Sequence, residues 1–199
     1  METTELIKQT KNAFNFIEKL YFEVSYLIKE IEGLIQQEDE AFIIGRPSGY
    51  GVTTRSSTGL EPGNVSQWLT KTFTVFFCPE NMTKWNGGQT VTGFHGDLKV
   101  IIIRIVLGDK DIDQPKINFG CLSEIKPKKN QKKFEQLMFE FAYNSDKIFN
   151  SPADRYEDSY CAFKKTFFTK DLYSLNNSED IVTKIIQPVL ELYRQVRCF

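Results

Sequence analysis

The chain reads as a single α+β domain over residues 1–199: a mostly antiparallel sheet of about five strands, a long N-terminal helix, a helix inserted before the last strand, and a C-terminal helix. Three observations predict this. An apolar stripe at helical spacing runs through residues 5–37. Beyond it come short apolar runs broken by Gly, Pro and Asn, the pattern of strands and turns. The last third holds two helical patterns on either side of one strand-like run.

The first helix carries Ala13, Ile17, Leu20, Val24, Leu27, Ile31 and Leu34, alternating in steps of four and three as a helical seam does. Phe14, Phe16, Tyr21, Ile28 and Ile35 widen the stripe. A stripe this wide is expected to bury against more than one surface: the domain's own sheet and last helix or, on the alternative reading, in part a partner chain. Phe16 and Tyr21 are the candidate partner-facing residues. The stretch from Ala41 to Trp68 reads as a short strand followed by a Gly/Ser/Thr-rich connection, with Gly45, Gly49, Gly51, Gly59 and Gly63 permitting close backbone approach. Arg46 and Arg55 lie in it and can hold an anionic ligand, although no Walker or dinucleotide glycine spacing is present.

A strand is expected to end at Pro79, followed by a turn region around Asn86-Gly87-Gly88. "DLKVIIIRIVLGD" is the most apolar segment and reads as a central strand, with "KINFGCLSEIK" its hairpin partner. "QKKFEQLMFEFAYNSDKIFN" reads as a helix, broken by Pro152 and "ADRYEDS". "YCAFKKTFF" is the last strand; its alternation puts Phe163, Lys165 and Phe167 on one face and Lys164, Thr166 and Phe168 on the other. The final helix starts near Ser178 as N-cap, with Glu179 and Asp180 in its first turn, and Pro188 kinks or breaks it. The sheet is expected to carry its helices on one face, or else the first and last helices on opposite faces.

Composition narrows the function classes. Hydrophobic residues make up 41% and charged residues 26%, the balance of a soluble globular chain. The net charge of −1 leaves no global field toward nucleic acid or anionic lipid, so such binding would need a local patch. The longest apolar run is too short to span a bilayer and Arg104 interrupts it, and the start is a polar helix opening; the expectation is a cytoplasmic protein with no membrane contact. Cys78, Cys121, Cys161 and Cys198 are too scattered for a zinc knuckle, and His95 is the single histidine.

One stretch carries a constellation. Asp109, Asp111 and Asp113 close one strand, Glu124-Ile125-Lys126 closes the next, and Lys128, Lys129, Lys132 and Lys133 follow. In order of elements, and in this Asp…Glu-x-Lys pattern, residues 5–170 resemble the restriction-endonuclease-like nucleases of PD-(D/E)xK type. The resemblance implies Asp109 or Asp111 with Glu124 as Mg²⁺ ligands, Lys126 steadying the nucleophile, a carboxylate such as Glu32 on the first helix, and the later lysines on backbone phosphates. The plain reading of the same residues is a hairpin turn and a basic helix start.

The leading expectation is a non-enzymatic accessory or interaction subunit of a larger assembly, without a cofactor. It would bind a protein partner, or a second copy, through the first helix, with nucleic acid as a further partner of the lysine cluster. A Mg²⁺-dependent nuclease is the alternative. A small-ligand sensor using the Gly-rich loop 45–63 is a second.

Overall fold

The computed structural model describes residues 3–37, 42–45, 52–53, 69–79, 83–86, 90–94, 98–108, 113–128, 145–159 and 161–196. Helix α1 (Thr3–Gln36) leads into strands β1 (Phe42–Gly45), β2 (Val52–Thr53) and β3 (Thr72–Pro79). A separate antiparallel hairpin, β4 (Thr83–Asn86) and β5 (Thr90–Phe94), follows where a turn region was expected. Strands β6 (Val100–Val106) and β7 (Lys116–Pro127), helix α2 (Ser145–Asn150), and strands β8 (Arg155–Glu157) and β9 (Cys161–Asp171) come next. The chain closes with a 3₁₀ turn (Leu172–Ser174), α3 (Ser178–Ile181), a π-helical segment (Val182–Ile186) and α4 (Gln187–Gln195).

The main sheet runs β1-β3-β6-β7-β9-β8, with β2 also on β3, and every pairing is antiparallel. Its body is β3, β6, β7 and β9; β1, β2 and β8 are edge pieces of two to four residues. β6 is central, and all seven of its residues are buried. A strand buried on both faces can be apolar throughout, which is why "VIIIRIV" lacks the usual alternation. Arg104, its one charged residue, lies buried with its guanidinium 5.2 Å from the centre of the Phe149 ring.

Two cores result. On one face Ile101, Ile103, Ile105, Val75, Phe77 and Phe119 pack beneath Val24, Ile31 and Ile35 of α1 and Ile185, Ile186, Val189 and Leu190 of the C-terminal helices. On the other, Phe76, Cys78, Val100, Ile102, Leu122 and Phe163 gather with Ile148 of α2. The first and last helices therefore share a face and do not lie on opposite sides, while α2 covers the other face, so the helices are not confined to one face as expected. Burial of each of Val24, Ile31 and Ile35 contributes roughly 1.5–3 kcal/mol.

Local devices hold the elements in place. The N-cap of α3 is Asn177, one residue before the expected Ser178, and its side chain accepts from the Asp180 N–H at 2.9 Å. Pro188 has no N–H for the Lys184 carbonyl; the helix absorbs this in the π segment, where Gln187 N–H donates to the Val182 carbonyl. Lys99 Nζ donates to the carbonyls of Tyr193 and Val196 at the end of α4, the second at 3.3 Å. Lys165 plays the same part for α2, donating to the carbonyls of Ile148 and Ser151; its burial lowers its pKa. Gly120 sits where β7 meets β9, and a Cβ there would lie 2.0 Å from the Thr166 carbonyl oxygen.

Candidate functional site

Helix α1 divides into two parts. From residue 20 onward its stripe meets the sheet, with Val24, Ile31 and Ile35 buried. Tyr21 marks the point of departure. Its ring packs edge-on against Phe73 at 5.6 Å, and its hydroxyl donates to the Thr70 carbonyl at 2.9 Å. Before it, every residue from 3 to 19 is exposed except Ile17, which is half-buried. At about 1.5 Å per residue this arm extends roughly 25 Å beyond the body. Phe16, an expected partner-facing residue, is 66% exposed; Tyr21, the other, is turned inward.

The arm is not polar. Leu6, Ile7, Phe14 and Phe16 are all exposed, and Phe14, Ile17, Tyr21 and Phe22 line an open depression on one flank. Stepping back from Ala13 by three and four residues reaches Thr10 and Leu6, so the seam that the sheet buries continues along the arm. The exposed edge is thus the same apolar stripe with nothing from the described residues over it.

A second feature is the charged corner at the β8–β9 end of the sheet. The register of β7 against β9 slips between Ser123 and Lys126, so three steps on β7 match two on β9. This bulge re-phases the strand: Ile125 turns into the second core, and Lys126 comes opposite Ala162. Glu124 takes up the slack with φ 49°, a left-handed conformation few non-glycine residues adopt. Its carboxylate is held there by Lys164 Nζ on one oxygen and by Arg155 Nη2 at 3.1 Å on the other. The hydrogen bond from Lys164, with the charges of Lys164, Arg155 and Lys126, keeps the Glu124 carboxyl below its ordinary range. Beside it Lys128 pairs with Glu157 and donates to the Asp158 carbonyl at 3.0 Å, which lowers the Glu157 carboxyl likewise.

These contacts bear on the constellation read from the sequence. Asp109, Asp111, Lys129, Lys132, Lys133, Arg46, Arg55 and His95 lie outside the described residues. Glu32 pairs with Lys29 at 2.7 Å. Among the described residues no three His, Cys, Asp or Glu side chains gather as metal ligands. Glu124 would have to surrender two cations to bind Mg²⁺, so the described residues alone do not fit such a centre. The buried Cys78 thiol is pushed up by its burial, Cys121 adding to the shift, which disfavours the thiolate a nucleophile needs.

A third feature has no counterpart in the sequence reading. Between α1 and the segment 172–181 runs an open groove of about 420 Å³. Leu20, Val24, Leu27, Leu172, Leu175 and Ile181 line it, and Tyr26 and Tyr173 stand at its rim, 70% and 68% exposed. Glu23 and Glu30 of α1 also line it, and no lysine or arginine does among the described residues. Its walls are some 150 residues apart in the chain, so only the folded chain brings them together.

Among the described residues no helix is long and apolar enough to cross a membrane. In comparisons with models of protein families, with curated proteins and with solved structures, nothing matches this chain.

Proposed function

We propose that this protein is an interaction subunit that presents residues 3–19 of α1 as a helical arm to a partner protein. The observation that supports this is the apolar surface left open along the arm: Leu6, Ile7 and Phe14 on one side at 49%, 64% and 67% exposure, with Phe16, 66% exposed, on the opposite flank. Isolated helices of this length are marginal in water, and large exposed apolar patches mark interaction surfaces. A partner helix laid along the seam would bury the stripe and fix the arm. The corner at Glu124 adds nothing to a catalytic reading, because its acidic and basic groups satisfy one another.

The test is cross-linking in the source cell with a photo-reactive residue at position 7 or 14, read by mass spectrometry. Cross-links to one protein, or to a second copy, that disappear in an Ile7→Asp/Phe14→Asp variant with unchanged thermal stability support the reading. A monodisperse monomer whose arm cross-links to nothing overturns it.

A further inference from the structure

The groove between α1 and residues 172–181 has a chemistry of its own, independent of the arm. Leucines, a valine and an isoleucine line it beside Asn176, Asn177 and Ser178, its charged lining among the described residues is acidic, and it carries two exposed tyrosines. Glu23 and Glu30 are two helical turns apart on the same side of α1, about 10 Å along its axis. Neither makes an ion pair with another described residue: the neighbouring Lys29 turns to Glu32 instead. Beyond the opposite wall, Lys184 is paired with Asp180 and donates to the Ser174 carbonyl, so its charge is not offered to Glu23 and Glu30. Glu179 adds a further acidic group in the first turn of α3. Among the described residues the groove thus joins uncompensated carboxylates to a largely apolar bed with exposed aromatic faces.

That combination is complementary to one kind of occupant. A cation with a long apolar stem lays the stem along the leucines, sets its head against a carboxylate, and stacks it on a tyrosine ring. Arginine satisfies all three conditions, since its guanidinium is planar, weakly hydrated and always charged. We propose that the groove binds an extended, arginine-bearing basic segment of a partner protein, with Glu23 and Glu30 receiving successive guanidinium groups and Tyr26 and Tyr173 flanking them. In an extended chain, side chains on the same face recur every second residue, about 7 Å apart, so arginines four positions apart share a face and their flexible stems reach both carboxylates.

The experiment measures fluorescence anisotropy with a labelled peptide carrying arginines at two positions four apart in a Gly/Ser background, and with its citrulline counterpart. Citrulline keeps the shape and loses the charge. The expected result is binding of the arginine peptide roughly tenfold or more tighter than the citrulline peptide, weakening as salt is raised. A Glu23→Gln/Glu30→Gln variant should lose most of that preference, and Tyr26→Ala should weaken binding about fivefold. Both sites are on the surface, so circular dichroism should show an unchanged fold. The Ile7→Asp/Phe14→Asp arm variant should bind the peptide as the unaltered protein does, which separates this site from the arm. Equal affinity for the two peptides, no binding of the arginine peptide, or binding indifferent to the double substitution overturns the proposal.

Discussion

Residues 20–36 and residues 3–19 of α1 carry the same four-three spacing of apolar side chains, yet the first set is packed on the sheet and the second lies in water. The difference comes from the sheet and the C-terminal helices, which end near Tyr21, and not from any change in the helix itself. Periodicity reports that a stripe wants cover. It does not report whether the cover comes from the same chain. Where cover from the described residues stops, the remaining apolar surface is the part of the helix that they leave unexplained.

Substitutions on either side of Tyr21 test this division. Ile31 is fully buried between α1 and the sheet, so Ile31→Ala should cost about 4 kcal/mol by urea denaturation. Tyr21→Phe keeps the ring against Phe73 and removes the hydrogen bond to Thr70, at a cost of about 1 kcal/mol. Phe14→Ala, two turns earlier on the same stripe, should change stability by less than about 0.5 kcal/mol. Amide exchange sharpens the same contrast: amides before residue 17 should exchange far faster than those of residues 24–35. If Phe14→Ala costs as much as Ile31→Ala, the arm is part of the domain core and the division fails.

Much of the fold was legible, for reasons that can be traced to residues. The first helix, the β6 strand and its antiparallel partner β7 follow from strong local patterns. "FKKTFF" alternates as expected, with Lys165 and Phe163 on the second core's face and Phe168 on the other. What was not legible depends on contacts distant in sequence. "ADRYEDS" looked like a breaker, yet Arg155–Glu157 forms β8 because β9 offers it an edge. The bulge at Glu124 exists because Ile125 must reach the second core, which no local propensity encodes. The groove needs walls from both ends of the chain. Of the two partner-facing candidates, Phe16 is exposed, while Tyr21 faces in.

The same contrast runs across one sheet face, and pH tests its weaker half. Under α1 and α4 the face is closed by apolar packing; at the β8–β9 end it is closed by ions around Glu124 and Glu157. The folded-state pKa of both glutamates is depressed, first by the hydrogen bond from their lysine partners and then by the surrounding positive charge. Between the depressed value and the ordinary one the unfolded chain holds more protons than the folded one, so stability rises with pH through that interval. The contribution is complete above the ordinary glutamate range, about 4.3, and is lost as pH falls through the depressed folded values. Glu124→Gln should therefore lower the neutral side of a stability–pH curve slightly, leave the acid extreme nearly unmoved, and so flatten the rise between them. The effect should be the smallest of the series, because Arg155 and Lys164 are well exposed and salt screens such pairs. Adding salt to the unaltered protein should bring its neutral side toward that of the variant. A rise identical in both proteins at low salt would mean that backbone pairing alone holds the corner, with the ions as bystanders.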